Sequence, residues 1–210
     1  MRKYILTLLS LTSLMPLWAQ NSPEKLLQQT VSKLEKDNGI YMKLETEIKN
    51  EDTTDRIDLE LKLSGNNFFT QEDENLMWFD GKTMWRGNSF GDGIEEIYIT
   101  EPTPEEKARY DIIGLLQKHK GFSISGNGSD TFVLTASNAA HSVEGISKVT
   151  VFVDPKTYTV KSVQVQFDQE VGNISASARI TEYKSGQKYD KSTFTCPVQD
   201  YKDAEIIDLR

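Results

Sequence analysis

The chain has 210 residues, 27% of them charged and 37% hydrophobic, with a formal net charge of −8 at pH 7. This acidic balance excludes the basic surface of a nucleic-acid-binding protein. It also opposes adsorption to anionic lipid headgroups, so we expect only transient membrane contact. The single cysteine, Cys196, cannot form an internal disulfide, so stability has to come from a hydrophobic core. Its neighbours predict a half-buried cysteine at the end of a strand.

Residues 1–19 have the pattern of a secretory signal peptide. Arg2 and Lys3 precede a short apolar run, and Ala19 is small enough for a signal-peptidase pocket. The run is shorter than the ~20 apolar residues of a membrane-spanning helix. No cysteine lies at its end to accept lipid. We therefore expect cleavage near Ala19 and export of a soluble protein with a single domain, residues 20–210.

An amphipathic helix is predicted at the start of this domain. Ser22 is a suitable N-cap residue, and Pro23 is favoured at the first position of a helix. The apolar residues that follow at helical spacing, up to Gly39, are Leu26, Leu27, Val31 and Leu34. One face of this helix should therefore pack against the rest of the protein.

The hydrophobic period then changes from 3.6 to 2, which predicts β-strands. Alternating apolar residues occupy 40–48 and 57–63, and the same alternation returns at 132–136, 149–153, 163–167 and 174–180. Short turns separate most of these segments. Consecutive strands of this kind predict an α+β protein whose mainly antiparallel sheet curves into a barrel or half-barrel.

The segment WFDGKTMW, residues 78–85, predicts a β-hairpin. Asp80-Gly81 is typical of a two-residue type I′ turn, which would place Trp78 opposite Thr83 and Leu76 opposite Trp85. Both faces of the hairpin carry large apolar side chains. A hairpin exposed to water would not have this composition, so we expect both faces to be covered.

A second helix is predicted from the segment TPEE, residues 103–106. Thr103 is a suitable N-cap residue, Pro104 follows it, and Glu106 completes a capping box. The apolar stripe of this helix includes Ala108, Ile112, Ile113, Leu115 and Leu116. Gly114 interrupts the stripe, and a glycine here indicates either close packing or a hinge.

These motifs, taken together, resemble the LolA-type periplasmic carriers of outer-membrane lipoproteins. The resemblance covers essentially the whole mature chain and keeps the family's order. It rests on WFDGKTMW, the TPEE cap with its LL helix, DTFVLTAS at 130–137, the strand pair at 148–167 and STFTCP at 192–197.

The resemblance implies an incomplete barrel, or half-barrel, whose apolar concave face is covered by the N-terminal helix and a lid helix. Lipoprotein acyl chains would bind there, between an inner-membrane lipoprotein-releasing transporter and an outer-membrane acceptor, with no cofactor and as a monomer. The expected ligand contacts are Leu61, Leu63, Phe68, Trp78, Trp85, Ile112, Ile113, Leu115 and Leu116, with Gly114 as the hinge. At each aromatic position, a closed and dry core is the alternative.

The chain departs from the family pattern in one respect. Typical members carry an Arg-Pro pair that is thought to latch the lid, whereas Ser64, Gly65 and Asn66 occupy the corresponding place here. Lys62 is the nearest cation, but an ammonium lacks the planar fork of a guanidinium. The departure bears on control of the lid more than on the fold.

Catalytic motifs are missing from the sequence. His119 and His141 are its only histidines, and no zinc, serine-nucleophile or dithiol motif accompanies them. The many carboxylates fall in turns and on polar strand faces, where solvation is expected. We therefore predict a carrier that is not an enzyme and has no metal site. The alternatives are an envelope lipid or lipoprotein sensor or acceptor that does not shuttle, and an exported hydrolase on the same scaffold.

Overall fold

The computed structural model describes residues 22–91, 93–104, 107, 121–126, 128–136, 145–168 and 173–210. The predicted signal peptide lies outside these ranges. So does most of the predicted lid helix, including Ile112, Ile113, Gly114, Leu115 and Leu116. The start of that helix is described, and the backbone N–H of Lys107 donates to the carbonyl oxygen of Thr103 at 2.9 Å. This contact is the one expected of a helix that begins at the predicted cap.

Helix α1 spans Pro23–Lys36 and begins as predicted. The hydroxyl of Ser22 accepts a hydrogen bond from the backbone N–H of Lys25 at 3.3 Å, which satisfies one of the free donors of the first turn. Lys33 and Lys36 lie in the last turn, where cations interact favourably with the helix dipole. The helix ends before Gly39, whose φ of +69° favours glycine.

Twelve strands are found in the described residues. Their bounds are β1 Ile40–Lys49, β2 Thr54–Ser64, β3 Asn67–Glu72, β4 Asn75–Phe79, β5 Met84–Gly91, β6 Gly93–Thr100, β7 Phe122–Ser125, β8 Thr131–Ala136, β9 Ile146–Val153, β10 Val160–Phe167, β11 Ser175–Lys184 and β12 Glu205–Asp208. They form one sheet in the order β12-β6-β5-β4-β3-β2-β1-β11-β10-β9-β8-β7. Only the β12–β6 pair among these is parallel. The sheet is open, which confirms the predicted α+β half-barrel.

One face of this sheet, here called the helix face, carries α1. Leu26, Leu27 and Val31 pack against Phe132 and Val151 of β8 and β9. A second cluster lies further along the same face and contains Ile40, Met42, Leu61, Phe68, Phe79 and Met84. Leu34 of α1 contacts both clusters. The helix therefore covers the β7–β9 end of the sheet and reaches its middle with its last turn.

The opposite face, here called the tail face, is covered at β4–β6 by residues 190–204, here called the tail. The tail contains two short 3-10 helices, Lys191–Phe194 and Val198–Asp200. Cys196 lies between them and is 5% exposed, so its predicted place in a strand is wrong. An irregular segment can be buried here because its side chains fill the space over two tryptophans, Trp78 and Trp85.

The turn between β4 and β5 differs from the prediction. These strands are joined by the four residues 80–83 rather than by a two-residue turn. Trp78 lies opposite Trp85 instead of Thr83. Leu76 lies opposite Gly87 instead of Trp85, so both pairs are displaced by two positions. A displacement of two keeps every side chain on its predicted face, because side chains alternate with period 2.

The side chain of Asp80 explains the longer turn. Its carboxylate accepts hydrogen bonds from the backbone N–H groups of Lys82 at 2.9 Å and Thr83 at 2.8 Å. The N–H of Asp80 in turn donates to the carbonyl of Thr83 at 3.2 Å. Gly81 still supplies the positive φ, +92°, that the turn requires.

Candidate ligand-binding face

Three of the predicted contact residues lie together on the helix face. Leu61 and Phe68 are 7% and 5% exposed, and Leu63 packs beside them. Register explains the grouping, because Leu63 of β2 lies opposite Phe68 of β3, which lies opposite Phe79 of β4. These side chains form one wall of the helix face, built from adjacent strands.

Trp78 and Trp85 lie on the tail face instead. They are 4% and 8% exposed and pack with Cys196 and Ile99. The ring of Tyr201 meets Trp78 edge-on, with ring centroids 6.0 Å apart. The tryptophans therefore share no surface with Leu61, Leu63 and Phe68. The hairpin is apolar on both faces, as predicted, and the tail covers one of them.

The middle of the helix face carries an apolar surface that the sequence analysis did not include in the site. Its large side chains are Ile48, Ile57, Leu59 and Val165, here called the central strip. Register places them on one face. Ile48 and Val165 both pair with Ala176, whereas Ile57 and Leu59 pair with Thr46 and Leu44, which share a face with Ile48. All four are partly buried, and none belongs to a core cluster of the described residues.

The central strip was missed although its pattern was visible. The alternation that identified β1, β2, β10 and β11 as strands also assigned these residues to one face. What it could not show is that α1 packs mainly at the β7–β9 end, so that the middle strands are less deeply buried than their neighbours. The small side chains of Ala176 and Ala178 lie on the same face of the sheet, opposite Val165 and Val163.

A polar group marks the border between α1 and the central strands. The hydroxyl of Tyr183 on β11 donates to the carboxylate of Asp37, which also forms an ion pair with Lys33. Burial, and then the hydrogen bond to Asp37, raises the pKa of Tyr183 well above its ordinary value. Tyr183 belongs to the apolar group that packs on the helix face. This contact joins the end of α1 to the middle of the sheet.

The tail face of the same central strands is charged. A groove of about 700 Å³ crosses β1, β2, β10 and β11 and is lined by side chains that include Glu45, Glu47, Asp58 and Arg179. Arg179 pairs with Glu45 inside it. Among the described residues, the two faces of the central sheet are therefore chemically opposite: the helix face is apolar and the tail face is charged.

Lys62, considered above as a substitute latch, also lies on the tail face. Its ammonium is 3.2 Å from the carboxylate of Glu60 and 4.7 Å from the ring centroid of Phe69. It cannot reach across the sheet in this position. Ser64 ends β2, and Gly65 turns the chain into β3 with a φ of +58°.

The environment of the Cys196 thiol opposes its ionisation. Burial, with a smaller contribution from Asp200, raises the pKa of the Cys196 thiol to about 12. A nucleophilic thiol requires the opposite shift. Within the described ranges, no three His, Cys, Asp or Glu side chains are grouped to hold a metal ion. None of the helices in these ranges is long and apolar enough to cross a membrane.

Comparisons with known proteins agree with this architecture. No protein-family model and no curated protein sequence matches the chain. An uncharacterized conserved protein from Thermus thermophilus has a similar structure, with 11% identity, a TM-score of 0.54 and coverage of 88% of this chain and 98% of that chain.

Two further solved structures are more distant. The LolA superfamily protein NE2245 from Nitrosomonas europaea has 10% identity and a TM-score of 0.43, covering 86% of this chain and 99% of that chain. The MucA/MucB complex from Pseudomonas aeruginosa has 9% identity and a TM-score of 0.40, covering 84% and 62%. The chain is therefore similar in fold to the Thermus thermophilus protein, and identities this low carry no function with them.

Proposed function

We propose that this protein is a periplasmic carrier that binds the acyl chains of lipoproteins on the helix face. In this proposal it receives them from an inner-membrane transporter and delivers them to an outer-membrane acceptor. The observation that carries the proposal is the central strip. It is an apolar surface between two packed clusters, on the face that α1 covers only in part.

The energetics of the strip suit reversible binding. Burial of each methylene of a chain contributes about 0.8 kcal/mol, so a chain that covered the whole strip would bind tightly. The side chains of the strip are already partly buried, so part of their hydrophobic free energy is gained before any ligand arrives. A ligand gains only the remainder, which permits release to an acceptor.

The proposal is tested first by binding of a fluorescent fatty probe. Leu59→Gln places an amide in the middle of the central strip, and we expect it to weaken binding about fivefold to tenfold, or ~1–1.4 kcal/mol. Asp58→Asn is the matched control, because residue 58 lies on the same strand and lines the charged groove of the opposite face. Equal affinity in both variants would exclude the central strip as the site.

Carriage requires a second experiment. Protein isolated from its own cell envelope should carry diacylated or triacylated species in native mass spectrometry, and its intact mass should match a chain that begins near Gln20. The loaded protein should then pass its cargo to acceptor vesicles. Retained cargo in a stable complex would instead favour a non-shuttling sensor or acceptor. Consistently empty protein that turns over a lipid ester would favour a hydrolase and refute the proposal.

A further inference from the structure

The described residues expose three large hydrophobic side chains, and all three lie at one end of the sheet. Phe90, Ile206 and Leu209 are 69%, 42% and 63% exposed. Phe90 belongs to β5, Ile206 belongs to β12, and Leu209 follows β12 directly. At the other end of the sheet, Phe122 and Ile124 of β7 pack against the α1 cluster. Exposed apolar surface is therefore concentrated at the β12 end.

The outer edge of β12 presents backbone groups that the sheet does not use. β12 is the last strand of the sheet, and β6 is its one neighbour among the described residues. The backbone N–H of Leu209 donates to the carbonyl oxygen of Ile99 at 2.9 Å, so Leu209 faces β6. Because backbone groups alternate in direction along a strand, those of Ile206 and Asp208 face outward. Such an edge can pair with another extended segment.

Two carboxylates determine the charge beside this edge. Register places Glu205 of β12 directly opposite Glu96 of β6, and like charges in this position repel each other. The nearby cation, Arg210, pairs with Asp208 instead. No ion pair among the described residues includes Glu205 or Glu96. A lysine or arginine on an added strand would lie beside the two carboxylates and offset their repulsion.

The same charges oppose pairing with a second copy of this chain. A second copy would bring its own Glu205 and Asp208 to the edge, and each chain has a formal net charge of −8. Acidic side chains on an edge strand prevent self-association in this way. They do not oppose a basic segment. β12 has only four residues, so the contact with such a segment should be reversible.

We propose that the outer edge of β12 binds an extended segment of a partner protein by β-strand addition, and that this segment is apolar on one face and basic on the other. Its backbone pairs with Ile206 and Asp208. Its apolar side chains lie beside Ile206 on the tail face, and its lysine or arginine lies on the helix face, beside Glu205 and Glu96. Strands β3–β6 separate this edge from the central strip, so the inference goes beyond the proposed function and does not depend on it.

The test uses a fluorescently labelled peptide, TVKVKVT, whose valines and lysines lie on opposite faces when it is extended. One control peptide, TVEVEVT, reverses the charge. The other is TVKVKVT methylated at its five central backbone nitrogens, which cannot donate to a strand edge. Fluorescence anisotropy measures the affinity of each peptide for the full chain. We expect TVKVKVT to bind about tenfold more tightly than either control.

Three variants assign this binding to the β12 edge. Ile206→Lys places a charge at the centre of the edge and should weaken TVKVKVT about tenfold. Glu205→Lys should reverse the preference, so that TVEVEVT binds more tightly than TVKVKVT. Asp52→Lys makes the same change in net charge in the exposed turn between β1 and β2, and it should keep the wild-type preference. Circular dichroism establishes that each variant is folded.

The contrary outcomes are distinct. If the full chain does not bind TVKVKVT, or binds all three peptides equally, the inference is wrong. If binding survives Ile206→Lys, the peptide uses another surface and the inference is also wrong. Self-association that Ile206→Lys abolishes would assign the edge to a second copy of the chain instead. Binding of the fatty probe should be the same in all three variants, so failure of this inference leaves the proposed function to its own test.

Discussion

Trp78 of β4 and Trp85 of β5 lie directly opposite each other on the tail face. Both indoles are nearly inaccessible to solvent, beneath Cys196 and Tyr201. They are separated by the thickness of the sheet from Phe68 and Leu61. The fluorescence of this pair should therefore report on the seating of the tail, and not directly on a ligand of the helix face.

Tyr201→Ala tests this assignment. It removes the ring that contacts Trp78 edge-on, and we expect a loss of about 2 kcal/mol in the free energy of unfolding. The tryptophan emission should shift to longer wavelength as water reaches the indoles. Binding of the fatty probe should not change. A large loss of probe affinity with an unchanged emission spectrum would place the ligand on the tail face instead.

Substitutions at two glycines with positive φ, Gly39 and Gly65, distinguish the cost of backbone strain from the cost of a steric clash. A Cβ at Gly39 would lie 1.8 Å from the carbonyl oxygen of Gln187, whereas a Cβ at Gly65 would have no neighbour within 4 Å. Gly65→Ala should cost only the left-handed backbone penalty of about 1–2 kcal/mol. Gly39→Ala should cost about 1–3 kcal/mol more. Urea denaturation measures both, and equal losses would show that the contact with Gln187 is not tight.

The four-residue turn predicts an unequal effect for two neighbouring substitutions. Asp80→Ala removes the acceptor of two backbone N–H groups and should cost about 1–2 kcal/mol. Lys82→Ala removes only an exposed ion pair with Glu101 at 3.0 Å and should cost less than about 0.5 kcal/mol. Thermal denaturation of the two variants checks this order, and the reverse order would contradict the turn described here.

Because the Cys196 thiol is buried, the free energy of unfolding should depend on pH in the alkaline range. The pKa of Cys196 is raised from 9.0 to about 12, so the unfolded chain loses this proton at lower pH than the folded protein does. The stabilisation is complete below pH 9 and is lost as the pH rises toward 12.

Cys196→Val isolates this contribution. Between pH 9 and pH 11, the unfolding free energy of the wild type should fall relative to that of the variant. At pH 8 the native thiol should also resist alkylation by iodoacetamide. Rapid alkylation without unfolding would show that the tail opens freely.

The sequence predicted the strand faces well because burial on one side of a sheet imposes a period of 2 on the chain. Ile40, Met42 and Leu61 were assigned to one face from this period alone, and the structure confirms it. The N-cap at Ser22 was predictable for an equally local reason, since its hydroxyl serves a backbone group three residues away.

Features that depend on distant parts of the chain were not predictable in the same way. The tail has no period to identify its buried side, so Cys196 was placed in a strand, and the packing of Trp78 and Trp85 beneath the tail was not predicted. The loop at Asp80 was misjudged because a side-chain acceptor replaced the expected backbone turn. The central strip depends on where α1 stops covering the sheet, which no single segment encodes.

The tail and β12 are consecutive in the chain, and this continuity links two kinds of protection. The tail shields Trp78 and Trp85, and β12 occupies the edge of β6 through the pairing of Ile206 with Ile97. Detachment of residues 190–208 would therefore expose an aromatic patch and an unpaired strand edge in the same event. Either exposed surface favours self-association. Local unfolding of this one segment is thus the expected first step toward aggregation, well before the rest of the sheet opens.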